Sequence, residues 1–287
     1  PNDREATCSL TYMIQGEGPQ TFEKKVAANS RATFNMQSDI GQKDASIKVD
    51  SDLPVIAERA MYRYGRSEGH DSIGTTSPAA NWYLAEGCTA CGAATYLLVQ
   101  NPQDSETAVD INFMTPSGEV PNPDGPLIMP PNSRLTINVN NVLPQSDFST
   151  RITGSMPIVA ERAMYWGEGT LTGEACHDSI GIPSPHTSFY LPDGQSSDGR
   201  ETWILVQNPN DSDVVIELAY LTSEAQRTVF VETLPPDSRW TFNMAGKVPE
   251  GRAAVMVESR SEGKKIVAER AMYWNSRGAG TCTIGGY

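Results

Sequence analysis

A sequence that repeats itself at the spacing of a small domain has little freedom in what it folds into. Pro-Val-Ile-Ala-Glu-Arg-Ala-Met-Tyr at residues 54–62 returns as Pro-Ile-Val-Ala-Glu-Arg-Ala-Met-Tyr-Trp at 157–166 and as Lys-Ile-Val-Ala-Glu-Arg-Ala-Met-Tyr-Trp at 265–274. The copies start 103 and 108 residues apart. Each period therefore holds one unit large enough to close a core, and the repeat constrains the architecture before any single residue is interpreted.

Within the second period, residues 82–87 and 95–100 read as short strands, and Asn101-Pro102-Gln103-Asp104 as a turn that Pro closes to strand pairing. Residues 108–115 alternate Val109, Ile111 and Phe113 with Asp110 and Asn112, a half-buried strand by period. Shorter strand signals follow at 125–129, 134–139, 150–153 and 158–166. Ala-Glu-Arg-Ala-Met has helical propensity, but the preceding Pro, the Val/Ile pairs and the terminal Tyr-Trp favour a strand. Seven strands in one period predict an all-β fold of tandem immunoglobulin-like β-sandwiches, without the antibody-type Cys…Trp…Cys spacing. The third period repeats the order.

The first period does not. Pro1-Asn2-Asp3 aligns with Pro209-Asn210-Asp211, so it enters after the second strand. The expected units are an incomplete sandwich over 1–75 and complete ones over 76–181 and 182–287. A sandwich lacking its two opening strands exposes edges and apolar inner faces. Three readings follow: a longer array was cut, the strands are disordered or left out of the sequence, or another chain supplies them by strand addition. A first residue of Pro rather than Met is read as a processed or truncated product.

The strings Trp-Tyr-Leu-Ala-Glu-Gly-Cys-Thr (82–89), Leu-Val-Gln-Asn-Pro, Pro-Pro-Asn-Ser-Arg, Ala-Glu-Arg-Ala-Met-Tyr-Trp and His-Asp-Ser-Ile-Gly resemble an uncharacterised tandem repeat of about a hundred residues. That repeat occurs in predicted secreted and cell-surface bacterial proteins. The resemblance covers nearly all of the chain and implies an extracellular or cell-surface location, while implying no activity.

The formal charge of −13 argues against nucleic acid as a partner, because phosphate binding needs a basic face. No apolar run reaches the roughly 18 residues of a membrane span. Among polar constellations, the repeated Glu58-Arg59, Glu161-Arg162 and Glu269-Arg270 stand out. Adjacent strand residues point to opposite faces, so Glu and Arg of one copy cannot pair with each other. Glu86 is the expected partner of Arg162, and Arg134 or Arg239 that of Glu161 or Glu269. All are read as structural ion pairs, because a catalytic dyad is seldom rebuilt in every module.

His70-Asp71-Ser72 and His177-Asp178-Ser179 contain the residue types of a hydrolytic triad, but consecutive residues cannot converge as a triad does. They are read as a turn or linker. Cys88 and Cys91 have CxxC spacing without a redox or zinc context, and one of them is expected to form a structural disulfide with Cys176. Cys8 and Cys282 are left as an intermolecular pair.

These readings lead to a non-enzymatic structural module, a stalk, spacer or fibre subunit, with no cofactor and no metal. Its partners are copies of itself or neighbouring repeats. The alternative is an adhesin or carbohydrate-binding module that presents a cell-wall or glycan ligand with the loop 117–126 or with Trp82, Trp166, Trp203, Trp240 and Trp274.

Overall fold

A computed structural model describes residues 1–167, 174–224 and 227–287. The first repeat contributes β1 (Ala6–Ile14), β2 (Gly18–Val26), the one-turn helix α1 (Met36–Ile40), β3 (Ala45–Ser51), β4 (Glu58–Arg63) and β5 (Glu68–Ile73). The second contributes β6 (Ala79–Leu84), β7 (Ala94–Asn101), β8 (Thr107–Thr115), β9 (Gly118–Pro121), β10 (Leu127–Met129), β11 (Ser133–Asn138), β12 (Ser149–Trp166) and β13 (Ala175–Ile180). The third contributes β14 (Ser188–Leu191), β15 (Glu201–Asn208), β16 (Val214–Thr222), β17 (Arg227–Leu234), β18 (Ser238–Asn243), β19 (Ala253–Ser259), β20 (Val267–Trp274) and β21 (Ala279–Ile284). The fold is all-β, with antiparallel sheets throughout.

The third repeat shows the plan most plainly. Its sheets run β14-β19-β16-β17 and β18-β15-β20-β21. Phe189, Leu191, Ile216, Leu218 and Val257 from one face Ile204, Val206, Phe242 and Ala268 from the other in one core. Strand alternation explains this sorting: one parity is apolar and turns inward. In the second repeat the last two strands of the plan fuse into β12. Its N-terminal half pairs with β6 and β8, and its C-terminal half with β7 and β13. The ladder to β6 shifts register between Thr153 and Ile158. Gly154 sits at that bend, where a Cβ would lie 2.5 Å from the Met156 carbonyl oxygen, so no side chain fits. Trp82 anchors the core: it is 1% exposed and its indole N–H donates to Ile158 O at 2.7 Å.

The segments read as turns at His70-Asp71-Ser72 and His177-Asp178-Ser179 are instead strands. β5, β13 and β21 form hairpins with β4, with the end of β12 and with β20, adding an eighth strand to the seven expected. The Val/Ile/Tyr parity that advertises a strand is missing from them: β13 is buried on both faces among polar neighbours, whereas β5 leaves Gly69, Asp71 and Ile73 exposed. The first repeat consists of β2-β1-β3 and the hairpin β4-β5, with no counterparts of β6 and β7 among the described residues.

The Gln-Asn-Pro turn has a structural cause. Asn101 is fully buried; its Nδ2 donates to Ser105 O (2.9 Å) and Pro130 O (2.8 Å), and its Oδ1 accepts from Gln103 N (3.1 Å). Asn208 repeats these bonds to Ser212, Pro235 and Asn210. Replacing Asn101 or Asn208 with Ala strands several buried backbone groups, and urea titration is expected to read a loss of about 3 kcal/mol.

Candidate functional site: a charge ladder at the junctions

The Glu-Arg strand and its hairpin partner meet the equivalent hairpin of the next repeat face to face. Glu161, Ala163 and Tyr165 point back toward the first repeat, whereas Arg162, Met164 and Trp166 point forward toward the third. On β13, register places Asp178 beside Ala163 and His177 beside Met164, so Asp178 also points back and His177 forward.

At the junction of the second and third repeats Arg162 is fully buried. Its Nη1 donates to Glu86 Oε2 at 2.8 Å and its Nη2 to Glu269 Oε1 at 3.2 Å. Glu269 Oε2 accepts from the Glu86 backbone N–H at 3.0 Å, and the Tyr273 hydroxyl donates to Glu86 Oε1 at 3.0 Å. His177 Nε2 lies 3.2 Å from the Tyr273 hydroxyl, and the Trp166 ring packs on both residues. The Cys282 thiol sits 2.9 Å from Glu86 Oε2 and 2.7 Å from Glu269 Oε1.

The junction of the first and second repeats uses the same positions. Arg59, the counterpart of Arg162, contacts Glu161 and Asp178. His70 Nδ1 lies 2.8 Å from Asp178 Oδ2, and its Nε2 lies 3.3 Å from the Tyr165 hydroxyl. Even a peripheral contact recurs: Gln100 Nε2 approaches Met13 Sδ at 3.3 Å, as Gln207 Nε2 approaches Met114 Sδ at 3.1 Å.

The electrostatics differ between the two. Burial opposes ionisation of Glu86, yet His177 and Arg162 beside it hold its carboxyl down to about 2. Burial itself lowers the His177 imidazole below its usual value, so at neutral pH Arg162 supplies the positive charge. At the other junction, burial and the hydrogen-bonded Asp178 push Glu161 up to about 8. Asp178, buried but held by His70 and Glu161, falls to about 2, so the two carboxyls share one proton under Arg59.

Glu86 and Arg162 form the ion pair considered from sequence. Arg134 and Arg239 do not reach Glu161 and Glu269. Arg134 donates to Thr136 Oγ1 at 2.8 Å, while Arg239 Nε donates to Ala85 O at 3.3 Å and its Nη1 lies 3.9 Å from Asp147. The partner of each back-facing Glu is the Arg of the preceding copy. Reading one period at a time hides this, and so do His70, His177, Tyr165, Tyr273 and Asp178. Their recurrence at fixed offsets was the available signal. Elsewhere the same positions differ: Glu58 and Asp71 are exposed, while Arg270 is buried and donates to Asp193 O at 3.3 Å and to Asp193 Oδ2 at 3.1 Å.

The cysteine expectations are corrected. All five are free thiols. Cys176 turns back toward Glu68 of the first repeat, while Cys88 lies against Ala90 O and Asp147; burial first, and then these carboxylates, push both thiols up to about 12. Cys8 is buried against Ser51 Oγ and Cys282 lies within the ladder, so neither stands at an exposed pole. Glu86, His177 and Cys282 bring one potential metal-ligand atom each within 4.8 Å of one another, but the Arg162 guanidinium already supplies the cation between the carboxylates.

The tryptophans do not form a platform. Trp82 is core, Trp166 donates to Arg277 O at 2.6 Å, Trp203 lies under Arg277, and Trp240 is 38% exposed. Trp274 is half-buried at the third repeat's outer end. The loop 117–126 is partly strand β9, and Asn122 in it bonds Gly125 O at 3.2 Å.

Arg162→Ala leaves two buried carboxylates unpaired and is expected to cost about 3–5 kcal/mol in chemical denaturation. The pH senses are opposite. The depressed Glu86 stabilises its junction above 4.5, and this is lost as pH falls toward 2; the raised Glu161 stabilises its junction below 4.5, and this is lost as pH rises through 8. Hydrogen exchange of β5 is therefore expected to quicken between those latter values, beyond its intrinsic pH dependence. Glu161→Gln flattens that excess.

A family of unknown function, DUF5719, matches residues 55–160, which run from one Glu-Arg strand to the next and so span a single period. No curated protein matches the chain. Among solved structures, Thermotoga maritima 1070 is similar over 37% of this chain and 96% of its own, at 15% identity and a TM-score of 0.34. The Anabaena sensory rhodopsin transducer is similar over 30% and 97%, at 21% identity and a TM-score of 0.26. The PBSX exported protein XepA is similar over 78% and 89%, at 9% identity and a TM-score of 0.25.

Proposed function

We propose that this chain is a non-enzymatic structural segment of a secreted or cell-surface protein, a stalk or spacer whose immunoglobulin-like repeats lock onto one another in series. One observation carries the reading. The polar groups most suggestive of chemistry are the ones that recur at both junctions, and each contacts the neighbouring repeat. Arg, Glu, His and Tyr are thereby committed to setting the angle between units. Arrays of this kind add stability and reach with each repeat.

The test is mechanical. Small-angle scattering of the full chain is expected to fit one rigid particle, and Arg162→Ala to broaden its distance distribution as the third repeat swings free. In calorimetry the same variant is expected to split one transition into two. Scattering unchanged by Arg162→Ala would sink the reading. Labelling of intact cells with an impermeant reagent tests the location.

A further inference from the structure

The junction of the first and second repeats buries a second set of polar groups that the ladder does not use. His70 and Asp178 meet across it, and two residues earlier on each strand the same faces carry Glu68 and Cys176, with Glu174 just before β13. Glu174 and Cys176 flank the Glu68 carboxyl. Register sets Arg63 opposite Glu68, its Nε 4.0 Å from Glu68 Oε1 and its Nη1 3.2 Å from Glu174 Oε1. Arg162 hydrogen-bonds both of its carboxylates, but Arg63 serves only Glu174. The Glu68 side chain is 4% exposed, yet neither of its oxygens has a hydrogen bond, and Glu174 Oε2 has none either. Three buried acceptors without a donor are costly unless a proton or a cation comes to them.

Docking itself does not require this set. At the next junction the equivalents of Arg63, Glu68, Glu174 and Cys176 are Trp166, Ala175, Gly278 and Gly280. There the indole lies so close to Gly280 that a Cβ on it would stand 3.0 Å from the ring. One junction closes this corner with a packed indole, the other with two carboxyls, a thiol and a guanidinium.

We propose that Glu68, Glu174 and Cys176 form a binding site for a divalent transition ion of the Zn²⁺ class, held between the first and second repeats. The donor set suits such an ion, which takes carboxylate oxygens at about 2.0–2.2 Å and a thiolate at about 2.3 Å, and three ligands leave one position for water. The thiolate selects against Mg²⁺ and Ca²⁺, which prefer oxygen alone. The ion displaces the thiol proton that burial and Glu68 otherwise hold in place. The three negative ligand groups then balance the ion together with the Arg63 guanidinium, so the buried corner carries no net charge. Glu174 and Arg63, with side chains 12% and 33% exposed, set the site at the rim of the junction, where an ion enters. Glu68 comes from the first repeat and the other two ligands from the second, so the bound ion cross-links the repeats.

The test uses the full chain, stripped of metal by a chelator, in a Cys91→Ser background that removes the exposed thiol. Calorimetric titration with Zn²⁺ is expected to show saturable uptake of one ion per chain. Co²⁺ in its place is expected to give a thiolate-to-metal charge-transfer band. Cys176→Ser is expected to abolish that band, and Glu68→Gln and Glu174→Gln each to weaken Zn²⁺ binding at least about tenfold. Cys8→Ser is expected to change neither readout. Each replacement is close in size to the native side chain, and circular dichroism checks that it folds; if Cys176→Ser does not, the two carboxamide variants carry the test. No uptake of Zn²⁺, a band that survives Cys176→Ser, or an affinity unmoved by both carboxamides overturns the proposal.

Discussion

The pleat of one strand is the constraint on which the junctions depend. Successive side chains of β12 leave on opposite faces, so a Glu-Arg dipeptide always presents an acceptor one way and a donor the other. Repeating that dipeptide once per period is enough to join neighbours, because the Arg of one copy then faces the Glu of the next. Arg59 with Glu161 and Arg162 with Glu269 are that single rule applied twice. The hairpin strands β13 and β21 follow the same parity and add His, Asp or Cys to the same contact.

Buried ion pairs are weak sources of net stability, since desolvation offsets most of the Coulombic gain. The ladder makes better sense as a device for register. An apolar junction of equal area would tolerate sliding or rotation, whereas Arg162 must satisfy two carboxylates at once, one from the loop after β6 and one from β20 of the next repeat. The substitution of Asp178 by Cys282 at the equivalent position shows how far the device bends. One junction balances two carboxylates on a single Arg with a shared proton, and the other replaces one carboxylate by a neutral thiol and draws Glu86 from a loop instead.

The all-β fold was legible because Val109, Ile111 and Phe113 alternate cleanly and Asn-Pro turns punctuate the strands. What stayed hidden was the strand identity of His177-Asp178-Ser179, whose residues carry no apolar parity because both faces meet polar neighbours. The cysteines misled for a related reason: a sequence gives no indication that Cys88 and Cys176 look toward different repeats. Pairings within a period follow from pattern, while pairings between periods need the offset between copies.

The opposed directions of Glu and Arg make this chain a vector. At each junction the preceding repeat supplies the guanidinium, Arg59 or Arg162, and the following repeat the carboxylate, Glu161 or Glu269. Two copies of either side turned to meet about a two-fold axis would set guanidinium against guanidinium, or carboxylate against carboxylate. The contact is therefore heterologous in kind: like does not pair with like, and each repeat reads its neighbour in one direction only.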